Sequence, residues 1–535
     1  MADILRNDTM LYRVATLSSV KLPSVAQYCL LASILLISTA CSLPSLHYRS
    51  STTAFDATND TRLGRSIAPM VAAHPDTASG VHLLTNPYEA MAARVHLARS
   101  ADISIDAQYY IWRADIAGTL LFEELFQAAE RGVRVRLLLD DNGTQGIDKL
   151  LAALNAHPNI EIRLFNPFLY RNARWFGFLT DFSRLNRRMH NKLYIVDNQV
   201  AIAGARNIRD EYYQVPEQTA FIDADLLGVG PVVRESSRDF DRYWASLSAY
   251  PAELILSDPS DKELEELHNK AKIYHTDEKA KKYIHAMNAS GAVQRFLAGD
   301  LPWHWVSVRM ISDPPAKGLG QARSEDLLPA KLFQLAGIPE KSMELISPYF
   351  VPQQDDIAAM TNLAQEGVHL QILTNSLSAT DVAVVHSGYA GSRTALLNAG
   401  VNLYEWRHSM AADLMGQREG IGQSSASSLH AKTFAIDGKH LFVGSFNFDP
   451  RSIRLNTEYG FIVHSELLTA QMEEAFILTI PFQSYEVRLS PQGSLYWLER
   501  REDGRVIRHD QEPHTSWLQR RLVDFLAILP IKWLL

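Results

Sequence analysis

Residues 189–207 read MHNKLYIVDNQVAIAGARN, and residues 429–447 read LHAKTFAIDGKHLFVGSFN. Each carries a His (His190, His430), a Lys two residues on (Lys192, Lys432), and an Asp at the seventh position after the His (Asp197, Asp437). Gly204 and Gly444 follow at the fourteenth, Asn207 and Asn447 at the seventeenth. Residues two apart on a strand point the same way, so each His shares a face with its Lys. Leu193, Ile195 and Val196 continue the strand into a core, and Asp197 meets the turn. Gly204 and Gly444 allow a tight backbone that places each Asn beside its His–Lys pair. A single His-x-Lys in a strand is ordinarily a surface pair; two copies that agree at five positions point to function.

One such unit offers an imidazole, a cation and an amide donor. Lys and Asn can bind phosphate oxygens, while His can serve as nucleophile or as general acid and base. Stabilising charge as it develops is usually the largest catalytic contribution. One unit lacks a second acid for the leaving group, and two facing units supply it. No His or carboxylate set with metal-ligand spacing lies nearby, so the cation role falls to Lys192 and Lys432, and no metal or cofactor is expected.

Around the motifs the same elements recur. ISIDAQYYIW reads as a strand, GTLLFEELFQAAERG as a helix stopping at Gly132, and VRVRLLLD and IEIRLFN as strands. The second half repeats this order with SMELISPYFVP, DIAAMTNLAQEG ending at Gly367, VHLQILTN and VNLYEWR. Two copies of one α/β unit are therefore expected, each a sheet covered by helices. We expect a first lobe over 80–250, a helical insertion over 251–300, a second lobe over 301–480 and a C-terminal extension over 481–535. The insertion, SDKELEELHNKAKIYHTDEKAKKYIHAMNA, is charged and helical in pattern.

The 535 residues are 47% hydrophobic and 21% charged, with net charge -8, which excludes collagen-like, disordered and multi-span membrane classes. A mildly acidic chain also lacks the basic excess of a dedicated nucleic-acid binder. Both cysteines, Cys29 and Cys41, lie in the first tenth of the chain, so the body has neither a disulfide framework nor a Cys-ligated metal.

Residues 13–42, RVATLSSVKLPSVAQYCLLASILLISTACS, set Arg13 and Lys21 before a short apolar run and small residues. The run is too short to span a bilayer and has the order of a secretory signal. Cys41 after Ser-Thr-Ala is similar to a bacterial lipobox, with Ser38 where that motif prefers Leu; Met10 is an alternative start. Residues 1–41 are read as this signal segment and 42–79 as a tether. The expected location is a bacterial cell envelope, with lipid anchoring through Cys41.

The paired motifs resemble the HKD motifs of the phospholipase D superfamily, H-x-K-x4-D-x6-G-[SG]-x-N. The one departure is Ala205, where Ser445 keeps the usual residue. Beyond the motifs, SDPPAKG (312–318), SPYFVP, VHSGYAGSR, NTEYGF and EPHTSWLQRRL are similar to bacterial cardiolipin synthases of the C type. The resemblance spans roughly residues 80–535.

It implies two lobes, each with one mixed β-sheet flanked by helices, related by a pseudo-twofold with the active site between them. It also implies a phosphatidyl–histidine intermediate. His190 is assigned as nucleophile and His430 as acid and base, although the residues alone do not separate them. Lys192, Lys432, Asn207 and Asn447 would hold the phosphate, and Ala205 would lose a hydroxyl contact to it. Asp197 and Asp437 read as structural. A later carboxylate in each copy would orient a catalytic His: Glu458 in the second copy, and Asp223 in the first with Asp225 as its rival.

Three further stretches bear on substrate. Residues 166–190 carry five arginines among aromatics, which suits a lipid headgroup and interface or else a solvated loop over a satellite core. His386, Ser387 and Arg393 are candidates for headgroup contact, with helix capping as the plainer role for a His there. The C-terminal SWLQRRLVDFLAILPIKWLL sets Trp517, Leu518, Leu522, Phe525, Leu526 and Leu529 against Arg520, Arg521 and Asp524. It fits an interfacial helix or one docked on the lobes.

The resemblance implies a phosphatidyltransferase that makes cardiolipin from phosphatidylglycerol and a second phospholipid. The expected partners are phospholipids and a membrane surface, with no nucleic acid and any helper protein unknown. The alternatives are hydrolysis to phosphatidic acid and, from another class, an inactive lipid- or partner-binding envelope lipoprotein.

Overall fold

The computed structural model describes residues 43–215, 220–289, 295–296, 299–407, 427–529 and 534–535. The signal segment, Cys29 and Cys41 lie outside the described residues.

The first motif region contributes strands β1 (Ala78–Leu84), β2 (Ser104–Tyr109), β3 (Arg134–Asp140), β4 (Ile160–Phe165), β5 (Lys192–Val196), β6 (Val200–Gly204), β7 (Ala220–Ile222), β8 (Asp225–Val229) and β9 (Ala249–Pro251). The second contributes β10 (His304–Ser312), β11 (Ser342–Ile346), β12 (His369–Asn375), β13 (Asn402–Trp406), β14 (Ser427–Leu429), β15 (Thr433–Ile436), β16 (His440–Gly444) and β17 (Tyr459–His464). β18 (Ser484–Leu489), β19 (Leu495–Arg500) and β20 (Val506–His509) complete the set.

Hydrogen-bonded pairs give one half the spatial order β9-β4-β3-β2-β5-β6-β8-β1. The other half runs β10-β17-β16-β15-β11-β12-β13-β18, with β19 and β20 added at its edge. In each half three neighbouring strands are parallel and the rest antiparallel. Reversing one order gives the other, which is the pseudo-twofold read in hydrogen bonds. β1 and β10 pair antiparallel, Ala78 opposite Ser307 through Val81 opposite His304. Each lobe thus has its mixed half-sheet, and the two are continuous, because β1 leaves an edge that β10 satisfies.

Side-chain alternation sorts the core. On β5, Tyr194 and Val196 join a cluster under the first-lobe helices, while Leu193 and Ile195 join a central cluster. On β15, Ala435 faces that same central cluster, and Phe434 and Ile436 face a second outer one. The central cluster draws Phe240, Tyr243 and Trp244 from helix Pro231–Trp244 and Leu468, Met472 and Phe476 from helix Glu466–Leu478. The two lobes thus share a core as well as a sheet.

Two stretches differ from the sequence reading. From Leu46 the expected tether is packed: Arg163 donates to the Ser50 carbonyl (2.7 Å) and Arg136 to the Thr52 carbonyl (2.8 Å). Helix Arg62–Ala72, capped by Thr61, then buries Leu63 and Ile67. Buried guanidinium groups on β3 and β4 need acceptors, and this segment supplies them. The insertion helices Asp261–Tyr274 and Glu278–Asn288 are charged outside but bury Leu267, Tyr283, Ile284 and Met287 in the first-lobe cluster.

Candidate active site

The motif turn lies at the aspartates, not at the glycines. Asp197 and Asn198 adopt φ of 51° and 50°, and Asp437 and Gly438 φ of 54° and 67°, closing the β5–β6 and β15–β16 hairpins. The Asp197 carboxylate accepts the backbone N–H groups of Asp102, Ile103 and Ser104. Asp437 does the same for Glu340, Lys341 and Ser342. Each aspartate ties its hairpin to the neighbouring strand. Gly204 and Gly444 serve close approach: a Cβ there would lie 2.1 Å from Asp225 Oδ1 and 2.3 Å from the Tyr459 carbonyl oxygen, respectively.

Backbone pairing across the lobes places each histidine opposite the other lobe's carboxylate. The His190 N–H donates to the Thr457 carbonyl and the Thr457 N–H to the Arg188 carbonyl, both 2.9 Å. Glu458, the next residue, then meets the imidazole: His190 Nδ1 lies 2.9 Å from Glu458 Oε2 and 3.1 Å from the Ser445 carbonyl oxygen. In the other half, β7 and β14 pair in parallel, with Leu429 opposite Ile222. The N–H groups of His430 and Ala431 both donate to the Ile222 carbonyl. Asp223 follows, with Oδ2 2.7 Å from His430 Nδ1. Asp225 instead pairs with buried Arg94 (2.9 Å) and Arg206 (3.4 Å).

Both histidines are nine-tenths buried or more by residue. Burial, with Lys192 and Lys432 close by, holds His190 well below the usual imidazole range. Burial and then Lys432 lower His430 to about 3. Burial alone would raise Asp223, but His430, Arg206 and Lys432 hold it below the ordinary carboxylate range. Burial pushes Glu458 up to about 7. At rest the imidazoles are neutral. A carbonyl oxygen can only accept, so the His190 proton sits on Nδ1 and its Nε2 carries a lone pair.

Each lysine donates to the backbone carbonyl of its own histidine, Lys192 at 2.5 Å and Lys432 at 2.6 Å. Burial, reinforced by the neighbouring lysine, depresses Lys192 well below its usual value, and burial lowers Lys432 to about 8. Asn207 accepts from the Ile111 N–H (3.1 Å) and donates to the Tyr212 hydroxyl (2.8 Å). Asn447 is buried, and its Oδ1 makes no hydrogen bond to any described residue. The Ser445 hydroxyl donates to Glu458 Oε2 and accepts from the Tyr459 N–H (3.1 Å). Ala205 is fully buried at the matching position.

Several contributors escape the motif. Tyr110 and Tyr212 set their rings edge-on to His190 (5.1 Å, 69°) and His430 (4.9 Å, 87°). Arg188 and the Met189 N–H both bond Asp140, fixing the backbone that leads into His190. Arg451 grips Asn186 through both its carbonyl and its side chain. Their signal was available only in part: Tyr212 stands five residues after Asn207, where the second copy has Ser452 five after Asn447.

His386, Ser387 and Arg393 lie in helices packed against the C-terminal extension. Arg393 pairs with Glu405 (2.7 Å) and Glu512 (2.5 Å), and His386 Nε2 faces Glu512 (3.2 Å) and Arg393 (2.8 Å). Ser387 donates to the Val384 carbonyl. His386 also lines a small cleft with Asn375. Asn375 bonds both the Leu429 carbonyl and the Leu429 N–H at 3.0 Å, so the cleft lies beside the strand that leads into His430. Among the described residues no group of His, Cys, Asp or Glu is arranged to hold a metal, and no helix is long and apolar enough to cross a membrane.

The family profile described as "Cardiolipin synthase, PLD-like domain" matches twice, at residues 95–244 and 332–478. Cardiolipin synthase C of Escherichia coli is 44% identical over 474 residues, covering 89% of this chain and 100% of its own length. A cardiolipin synthase of Staphylococcus aureus is 23% identical over 437 residues, covering 81% of this chain and 73% of its own. Among solved structures, phosphatidylserine synthase of Haemophilus influenzae aligns with TM-score 0.54 and 13% identity over 89% of this chain and 100% of its own. At that identity the likeness concerns the fold.

Proposed function

This chain belongs to the cardiolipin synthase family of phospholipase D-like proteins, and we propose that it joins a phosphatidyl group to phosphatidylglycerol, forming cardiolipin. The observation that carries the reading is the crossed pairing of His190 with Glu458 and His430 with Asp223 around two buried lysines.

In the first step, His190 Nε2 attacks the donor phosphorus, forming a P–N bond as the P–O bond to the donor's headgroup alcohol breaks. His430, protonated on Nε2, delivers that proton to the departing oxygen. The phosphodiester's own charge makes this protonation favourable, since it offsets the burial and the lysine charge that keep the imidazole neutral. In the second step, His430 takes the proton of a phosphatidylglycerol hydroxyl, whose oxygen attacks phosphorus and displaces His190. Lys192 and Lys432 neutralise the non-bridging oxygens throughout.

The substrates are lipids, and exposed side chains support contact with a bilayer. Trp175 (68% exposed) and Leu179 (72%) project from helix Arg174–Thr180, in the stretch that leads to His190. Helix Trp517–Ile528 packs on helix Ala383–Ala390 and buries Val523, yet leaves Trp517, Leu518, Leu522 and Phe525 exposed. Leu526 and Leu529 are half-buried. The helix is both docked and amphipathic toward solvent. Lipid anchoring at Cys41 accords with an envelope lipoprotein; mature protein from membranes should then begin at an acylated Cys41, and an intact, lipid-free Met1 or Met10 would refute the anchor.

Purified protein incubated with labelled phosphatidylglycerol, with and without phosphatidylethanolamine, tests the reaction. Cardiolipin is the expected product. Phosphatidic acid alone would make the enzyme a hydrolase, and no turnover would favour a binding role. Chelators should leave the rate unchanged, because lysines hold the phosphate.

A further inference from the structure

The second lobe carries a polar pair beside the site that the motifs do not account for. β11 ends at Ile346, opposite Thr433, the residue after Lys432. The chain runs on through Tyr349, and Phe350 then pairs with Phe448, the residue after Asn447. The Val351 N–H donates to the Phe448 carbonyl (2.8 Å) and the Phe448 N–H to Ser347 Oγ (3.1 Å), so this segment is stitched alongside the motif's asparagine. β12, the parallel neighbour of β11, ends at Asn375, which bonds Leu429 next to His430. The loop beyond it brings in Asp381. The Tyr349 hydroxyl donates to Asp381 and lies 3.0 and 2.9 Å from its two oxygens. The pair thus stands past the carboxyl ends of adjacent parallel strands, where open α/β sheets bind ligands.

Asp381 is exposed and Tyr349 half-buried, while Lys432 and Asn447 are buried. The Asp381 charge acts on Lys432 and on Tyr212, which places it on the wall of the site. The hydroxyl hydrogen is spent within the pair, so what the pair offers a ligand is acceptor lone pairs. The first lobe lacks it. Trp112 pairs with Ile208 there as Phe350 does with Phe448, so Ile111 is the residue that matches Tyr349.

We propose that Asp381, held by Tyr349, is the subsite that reads the reacting alcohol, accepting a hydrogen bond from a donor group two carbons from the reacting oxygen. The inference rests on the phosphatidyl-transfer reading above and deepens it. In that reaction the alcohol oxygen leaves and arrives beside His430, on the lobe that bears Asp381. The head glycerol of phosphatidylglycerol has a hydroxyl on the carbon next to its reacting CH2–O group. The headgroup of phosphatidylethanolamine has an ammonium at the same separation. A carboxylate accepts from both. Water brings no such group, so the contact also favours transfer over hydrolysis.

The test gives the full chain dihexanoylphosphatidyl nitrophenol with two alcohols at equal concentration and reads the product ratio, which cancels changes in overall rate. Wild type should take propylene glycol and ethanolamine over n-propanol by about tenfold, the size of one hydrogen bond to a charged group. Trimethylene glycol, whose second hydroxyl is one carbon further away, should behave like n-propanol. Asp381→Ala should bring both ratios close to one. Asp381→Asn separates the two sources: its amide can still bond a hydroxyl but not hold an ammonium, so only the ethanolamine preference should vanish. Tyr349→Phe should lower both ratios a few-fold. Ratios near one in wild type, or ratios that Asp381→Ala leaves unchanged, would overturn the subsite. Ratios that hold in a chain forming no cardiolipin would sink phosphatidylglycerol as acceptor and leave Asp381 standing. Calorimetry reads the same contact without turnover. Dihexanoylphosphatidylglycerol should bind wild type about tenfold tighter than dihexanoylphosphatidylethanol and bind Asp381→Ala no tighter; equal binding to wild type would also overturn the assignment.

Discussion

The first half-site holds its histidine with two acceptors, the second with an aspartate and a hydroxyl. His190 donates Nδ1–H toward both Glu458 and the Ser445 carbonyl, and Glu458 is itself steadied by Ser445 and by Ser452 (2.8 Å). His430 donates to Asp223, which takes the Ala224 N–H (2.9 Å) in place of serine hydroxyls. A longer carboxylate arm comes with two serines; the shorter one needs only backbone, and Ala205 and Tyr212 stand where those serines would be. The pseudo-twofold supplies matching groups, and these substitutions hold them differently.

The largest effects should come from the histidines. His190→Asn and His430→Asn are each expected to lose about a thousandfold or more in transfer. A donor with a nitrophenolate leaving group sharpens the contrast, since that oxygen departs without a proton. His430→Asn should still release one equivalent of nitrophenolate in a burst, and His190→Asn none; bursts of equal size would erase the division of roles.

Next come the orienting carboxylates. Asp223→Asn offers an amide that can donate to Nδ1 and favour the wrong tautomer, for which a loss of about 10³–10⁴ in kcat is expected. Glu458→Gln should cost less, about a hundredfold, because the Ser445 carbonyl still accepts the Nδ1 proton. Steady-state kinetics of the two variants decide the point, and the reverse order would break the comparison.

The pH profile follows. Lys432 is a cation below about 8 and loses its charge above it, so kcat/KM should fall on the alkaline side of about 8. Glu458 is protonated below about 7, which weakens its hold on His190 and gives the acidic limb. Lys432→Arg should take the Lys432 contribution out of the alkaline limb and leave that of Lys192, whatever its effect on the maximum, since a guanidinium stays charged.

Much of this was legible in the chain. The paired motifs and the strands around them follow from local periodicity and spacing, which short stretches encode. The crossed pairing was not, because it depends on Thr457 meeting Arg188 and Ile222 meeting His430, contacts made across more than two hundred residues. The same holds for the β1–β10 junction that fuses the sheets. Residues 46–77 looked like a tether because their composition is polar and aperiodic, yet buried Arg136 and Arg163 require acceptors that no local pattern announces. Tyr212 was hidden for a different reason: it is a departure between the copies, and a search for what they share passes over it.

The smallest expected effects test the position where the motifs differ, Ser445 against Ala205. If the serine hydroxyl serves Glu458, Ser445→Ala should cost about 1 kcal/mol of stability and a few-fold in kcat/KM, with Ser452 still holding the other carboxylate oxygen. Ala205→Ser should bring no gain, since Asp223 is already satisfied and a hydroxyl buried there has no built partner; a loss of about 1 kcal/mol in a thermal melt is expected, with kcat/KM unchanged. The swap separates two accounts of the residue. Were it a phosphate ligand, restoring serine at position 205 would raise activity even as stability fell, whereas a carboxylate ligand predicts that both half-sites work best with the residue they have.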